Sequence, residues 1–556
     1  MRKAGDKATK LEWLGLIVLF LLAGTLGHDP WKQDETYSFG IIYHFFTTHS
    51  WLVPMNAGTA FMEKPPLYYW TAVVFCKLLG GLLPLHDAAR LASTFYMFIT
   101  CASVWAASQV LFEDSEERCG MGRAVVALLL GTLGLTRHAH DMFTDMALLS
   151  GMSVAMLGLA LLLKRPQGWA RAGAVLGLGV GVAFLSKGLL VPIILGASGV
   201  MLLVLLPATR SRRTVGAVLV ALLAASPFLL LWPIALNDFS HELFMEWFWQ
   251  NNVGRFLGFS VQRLGADNSG GYMFQAVLWF AFPTLPLALA TLCRGRRDWR
   301  NPAYILPALI SVIGFSLMAI AASARALYLL PLLPAFALLG VQALVRIPER
   351  ALGRWNLSVR VLASIMGLIV VALWLVLLHP AGPHPFSHAY RKTFPLDFVP
   401  DASHPAAYVA AIAIVVLWLA SLRLPGRGFV TTAYVWLAAI ALPWCLSCTL
   451  LMPWFEQTRS FRPVLSQLSD VISRPAYAND CVVRRSLGES LAPMWEYFGK
   501  GRGLGPAEDF DGASCRLLLT INGKSMAAVT DPRWHLVWKG SRVLDTKDDI
   551  LLFERN

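Results

Sequence analysis

Apolar residues in this chain come in unbroken blocks and seldom alternate with polar ones. The blocks run at 11–27, 91–111, 124–136, 146–163, 172–185, 188–207, 214–236, 273–293, 302–322, 326–345, 357–379, 406–422 and 430–452, about thirteen in all. Most approach the roughly 20 residues that carry a helix across a bilayer. In lipid a spanning segment must satisfy its own backbone hydrogen bonds, so the pattern predicts an all-α polytopic membrane protein. One further apolar stretch, 67–83, is interrupted by Lys77, Gly80 and Gly81. It reads either as a span or as a helix lying at the interface.

The polar segments decide between these. If 67–83 does not cross, the loops 113–123, 164–171, 210–213, 294–300, 346–354 and 423–427 fall on one side, each with at least two basic residues. That is the positive-inside pattern, and a crossing at 67–83 would place every one of these loops outside. Arg2, Lys3, Lys7 and Lys10 precede the first block with no clear small-residue cleavage site after it, so it reads as a retained span with the N-terminus inside. The transmembrane domain is then 1–453, with large outer loops at 28–90 and 237–271. Beyond Glu456 the polarity becomes that of a soluble protein. Segments 517–521, 535–538 and 550–553 read as strands and 461–472 as an amphipathic helix. Residues 454–556 are therefore expected to form a small periplasmic α/β domain.

Composition narrows the function classes. With 56% hydrophobic and 15% charged residues the chain is no soluble globular domain. The net charge of +13 raises nucleic acid as a partner, but Lys and Arg sit mainly in the short loops, where topology explains them. No nucleic-acid partner is expected. Among the eight cysteines, Cys101, Cys293, Cys445 and Cys448 lie in or beside apolar blocks as small hydrophobes. Cys481 and Cys515 lie in the polar tail and are able to pair if that tail is periplasmic.

In a chain so poor in charge, acids beside apolar spans need a reason. The outer face carries Asp34 and Glu35, Glu63 with Lys64, and Asp141 with Asp145. A single Asp at a helix end is ordinarily a cap or a solvated charge. Three acidic clusters on one face point instead to a site. Arg90, Lys187, Arg255, Arg263 and Arg325 share that face against the positive-inside trend. Salt bridges that merely hold loops are the plain reading; the sharper one is an anionic, phosphate-bearing ligand. Acid to activate an acceptor, cations for a departing phosphate and a lipid groove together suit sugar transfer from a polyprenyl phosphate. A transporter or flippase of a lipid-linked or anionic substrate is the alternative, but it would tend to show repeats and mid-span charges. His379, His384, His388 and His404 read as solvated loop residues.

Several motifs carry a resemblance. Asp34-Glu35 after the first span, the string Glu63-Lys64-Pro65-Pro66-Leu67-Tyr68-Tyr69-Trp70, the Thr144-Asp145-Met146 turn, Ser186-Lys187-Gly188 and Arg325-Ala326-Leu327-Tyr328 resemble the GT-C glycosyltransferases. More closely, the chain is similar to bacterial aminoarabinose transferases and their protein O-mannosyltransferase-like relatives, over roughly residues 11–350. The resemblance implies an inner-membrane enzyme whose active site faces the periplasm. It implies an undecaprenyl-phosphate-linked sugar as donor and lipid A or another periplasmic glycan or protein as acceptor. Asp34, with Glu35 beside it, would be the acid at the acceptor, and Asp145 a second acid. Lys64 would touch the donor phosphate, while Arg325 and Tyr328 would line the lipid-phosphate site with Arg90, Lys187 and Arg255 as further substrate contacts. Glu63 would be a ligand of a divalent metal or another acid. One position departs: Asn252 stands where the aminoarabinose transferases tend to carry a His, and Asn is a poor zinc ligand. His241 is near in sequence but out of register. The departure leaves the metal and the sugar open.

Overall fold

The computed structural model describes residues 10–260, 271–294, 299–322, 325–378, 405–424, 427–477, 480–499, 515–522, 532–543 and 549–555. Arg263, His379, His384, His388 and His404 lie outside the described residues. The body is a bundle of apolar helices. Among the described residues eight are long and apolar enough to cross a membrane, or nine if Tyr272–Phe280 and Thr284–Arg294, bent by 104°, count as one span. Four other expected blocks are helical but shorter, at Lys10–Leu22 (α1), Arg118–Leu130, Leu190–Leu205 and Pro405–Ser421.

The segment 28–90, expected as a loop, is mostly structured. Helix α2 spans Gln33–Thr48, opens with Asp34 and Glu35 in its first turn, and stops at His49 in the left-handed conformation. Acids suit that end because the first turn presents unpaired amide groups. A short hairpin of β1 (Met55–Asn56) and β2 (Thr59–Ala60) follows. Helix α3 (Leu67–Leu79) begins after Pro65-Pro66 and keeps Val74 and Leu78 exposed. Its 13 residues fall short of a span, which favours the interfacial reading. Helix α4 (Leu85–Leu111) starts earlier than expected, so Arg90 sits inside a helix and not in a loop.

Small residues bring the next helices close. Asp145–Lys164 (α5), Trp169–Lys187 (α6) and Arg212–Ser226 pack side by side. Gly173 and Gly177 of α6 lie against the backbone of Ala217 and Ala221, the close approach that small-residue faces permit between helices in lipid.

Toward the C-terminus a four-stranded sheet has the order β3-β4-β6-β5. Strands β3 (Val482–Arg485) and β4 (Leu517–Asn522) are parallel, and β6 (Asp549–Arg555) pairs antiparallel with both β4 and β5 (Trp534–Gly540). A Cys481–Cys515 disulfide ties the chain just ahead of the parallel pair. The helix Arg462–Ile472 buries Val464, Leu465, Leu468, Val471 and Ile472, one apolar stripe at helical spacing. Strand β3 and the helix Gly488–Phe498 were not foreseen from the sequence. That helix packs on α2 at Gly40, where an added Cβ would stand 2.5 Å from Pro493 Cβ.

Candidate active site

Helix α2, the turn before α3, the break after α6, the segment 251–257 and residues 317–328 converge on one cavity of about 520 Å³. Asp34, Glu63, Lys64, Lys187, Arg255, Arg325 and Tyr328 all line it. So do Gln33, Tyr37, Asn251, Asn252 and Glu489, which the sequence reading had not singled out for the site. Leu189, Leu190, Ile193, Leu257, Leu317, Met318 and Leu327 form an apolar side. The cavity lining thus joins charged and apolar side chains.

Asp34 is the hub of the charged side chains. The Tyr37 hydroxyl, one helical turn on, donates to Asp34 Oδ1 at 2.5 Å and receives a hydrogen bond from Lys64 Nζ at 2.5 Å. Burial by itself would raise the Asp34 carboxyl, but Lys64, the Tyr37 hydroxyl, Lys187 and Arg325 outweigh it and hold the group below the usual carboxylate range. Burial and the neighbouring Asp34 push the Tyr37 phenol well above its ordinary value, so it stays a donor. Pro65-Pro66 and the stacking of Tyr37 on Phe61, with ring centroids 4.8 Å apart, fix this group.

Asp145 does not line the cavity. It is fully buried and binds Lys187, whose ammonium also stands 4.6 Å from the centre of the Tyr328 ring. Lys187 can be aimed this way because the chain breaks at Gly188, with φ +83° and ψ −141°. Asn252 fills the space beside that glycine and accepts from Leu189 N at 3.3 Å.

Glu35 and Arg90, expected at the substrate, do not line the cavity and pair with each other. Arg90 Nε donates to Glu35 Oε1 at 3.1 Å, and Arg90 Nη1 to Asp87 Oδ1 at 3.0 Å and Thr25 O at 3.0 Å. Met142 N also donates to Glu35 Oε1 at 3.1 Å. Both side chains are fully buried. They clamp the end of α1 and the helices α2 and α4 to the loop before α5, and so hold Asp34 and Asp145 in place from behind.

The residues weighed as metal ligands bond to other partners. Glu63 Oε2 accepts from Arg255 Nη1 at 3.1 Å. Asn252 Nδ2 donates to Trp247 O at 2.9 Å, and His241 is exposed and bonded to Asn237. Among the described residues no three His, Cys, Asp or Glu side chains gather as metal ligands.

Known proteins share this arrangement of chain. The family model for dolichyl-phosphate-mannose-protein mannosyltransferase matches residues 63–232. An undecaprenyl phosphate-alpha-4-amino-4-deoxy-L-arabinose arabinosyl transferase 1 of Sodalis glossinidius is 26% identical over 281 residues, covering 50% of this chain and 47% of the relative. The corresponding transferase of Pseudomonas aeruginosa is 25% identical over 366 residues, 62% of each. The chain therefore spans about half the length of the first of these curated relatives and less than two thirds of the second. Among solved structures, ArnT from Cupriavidus metallidurans bound to undecaprenyl phosphate superposes with a TM-score of 0.70 at 16% identity, over 98% of this chain and 97% of that one. In fold the chain is that of ArnT, and in sequence it is similar to the aminoarabinose transferases within the GT-C glycosyltransferases.

Proposed function

We propose that this multi-pass membrane protein is a glycosyltransferase that moves a sugar from a polyprenyl-phosphate donor to lipid A, or to another glycan or protein acceptor, at the periplasmic face of the inner membrane. One observation carries the reading: a single cavity joins the acid Asp34, the cations Lys64, Lys187 and Arg325, and an apolar wall. A polyprenyl phosphate has the same division, with isoprene units for the wall and a phosphate for the cations. The names of the relatives, which specify undecaprenyl-phosphate-linked aminoarabinose, support that donor class.

The chemistry follows from the charges. The acceptor oxygen attacks the anomeric carbon while the bond from that carbon to the phosphate oxygen breaks. The phosphate leaves with the electron pair, and fixed cations stabilise the growing negative charge. Asp34, held ionised, takes the proton of a hydroxyl acceptor. Asp145 acts through Lys187, which it positions. Glu63 is held by Arg255, and no step passes through a metal. The polar groups gather at one end of the helices instead of at mid-span, which favours transfer at one face over transport.

The same reading keeps thirteen spans, with the four shorter helices completing the nine, and a periplasmic α/β domain at 454–556. The Cys481–Cys515 disulfide supports that side, since disulfides persist in oxidising compartments. Mass spectrometry of lipid A and periplasmic glycans tests the reaction. A deletion strain is expected to lose one sugar-sized mass, restored by the wild-type gene and not by Asp34→Asn. Identical lipids and glycans in all three strains would overturn the proposal.

A further inference from the structure

A second group of cations lies outside the cavity lining. Trp31 and Lys32 precede α2, and two elements distant in sequence reach over them. Arg459, at the end of the helix Met452–Arg459, stands with its guanidinium 5.2 Å from the Trp31 ring centre. Lys32 Nζ stands 5.3 Å from the same centre. Arg542, from the segment between β5 and β6, donates through Nη1 to Trp31 O at 3.4 Å and to Arg459 O at 3.2 Å. Arg137 is close enough to repel Lys32.

Negative charge nearby is already taken. Asp141 binds Lys32 and also accepts from His138 Nδ1 at 3.1 Å. Asp29 binds Arg462 and Ser460, and Glu456 accepts from Asp29 N at 3.0 Å. Among the described residues no carboxylate pairs with Arg459. Asp141 thus already joins Lys32, whereas Arg459 stands exposed beside the indole. A tryptophan ringed by Lys and Arg matches a lipid phosphate, as tryptophans favour the headgroup level of a membrane.

We propose that Trp31, Lys32, Arg459 and Arg542 form a docking surface for the phosphorylated headgroup of the acceptor lipid. The inference rests on the reading of lipid A, a phosphorylated glycolipid, as acceptor. The donor phosphate has its own cations inside the cavity, and none of these four residues lines that cavity. Lys32 stands two residues before Asp34 and next to Gln33, which lines the cavity, so an acceptor held there lies beside the cavity.

Binding to the purified full-length protein in nanodiscs tests this, using bisphosphorylated lipid A, its dephosphorylated form and undecaprenyl phosphate as probes. The wild type is expected to prefer the phosphorylated lipid. Arg459→Gln with Arg542→Gln is expected to weaken that binding about 10- to 100-fold, as for one or two lost charge-assisted hydrogen bonds. Binding of undecaprenyl phosphate is expected to stay the same. Arg459→Lys, which keeps the charge, restores most of the binding if the surface acts by charge, and melting curves on all variants separate a folding defect. Equal binding of both lipid A forms by the wild type, or unchanged binding by a folded double variant, overturns the surface. Sugar transfer to lipid A is assayed separately. Arginine-dependent binding without transfer keeps the surface as a lipid-phosphate site and removes lipid A as the acceptor, whereas transfer without phosphate preference does the reverse.

Discussion

At the scale of residues, Asp34 depends on a neutral neighbour, Tyr37. Tyr37 joins Asp34 to Lys64 through two short hydrogen bonds. A hydrogen bond to a charged group is worth about 1.5–3 kcal/mol, and about 1.4 kcal/mol corresponds to one pKa unit. Tyr37→Phe keeps the ring on Phe61 and removes the bond that favours the Asp34 carboxylate. The carboxyl should therefore rise. A base is lost as pH falls through its pKa, so the acidic limb of kcat/KM should move to higher pH, while Asp34→Asn removes activity at every pH. An unmoved limb in an active Tyr37→Phe protein would free Tyr37 from this role. The sequence made Asp34, Lys64, Lys187 and Arg325 legible because a charge beside an apolar span stands out against its surroundings. Tyr37 did not stand out, since its meaning depends on an i,i+3 relation within a helix read as loop. Glu35 and Arg90 stood out for the same reason as Asp34, yet they answer each other. Charge alone does not distinguish a clamp from a site.

At the scale of elements, the site depends on breaks in helices. Gly188 adopts φ +83°, and a Cβ there would meet Asn252 Oδ1 at 1.8 Å. Gly188→Ala must either rebuild the break or displace Asn252. A strained backbone position of this kind costs on the order of 1–3 kcal/mol. The variant should melt earlier and bind the donor more weakly, because Lys187 loses its aim. Gly196, in the helix that follows, has nothing within 4 Å of an added Cβ. Gly196→Ala should leave donor binding intact, and titration of undecaprenyl phosphate against both proteins checks the contrast. The break itself was readable as a polar interruption between two apolar blocks. The structure of 28–90 was not: α2 reads Thr-Tyr-Ser-Phe-Gly-Ile-Ile-Tyr-His-Phe-Phe over 36–46, a mixed composition with neither a span's length nor a clear stripe. The end of the Arg118–Leu130 helix was likewise hidden, because apolar residues continue past Gly131.

At the scale of the whole molecule, sidedness and the disulfide make one prediction. In spheroplasts a membrane-impermeant maleimide should leave Cys481 and Cys515 unlabelled until a reductant is added, and label both afterwards. Labelling without reduction would deny the bond, and none after reduction would put the C-terminal sheet on the inner side. The apolar blocks and the strands at 517–521, 535–538 and 550–553 were visible from periodicity, since each is a local signal. Contacts between the two ends of the chain were not. Glu489 faces Gln33 at 3.2 Å, Asn56 donates to Glu489 O at 3.2 Å, and Pro493 lies on Gly40. These contacts bear on the order of synthesis. The ribosome delivers Asp34, Lys64 and Asp145 to the membrane early, but the wall that carries Glu489 is among the last parts translated. A nascent chain stalled in its last hundred residues would hold the full set of reactive groups in an unclosed vessel, so maturation, and not insertion, sets the moment at which the protein becomes competent.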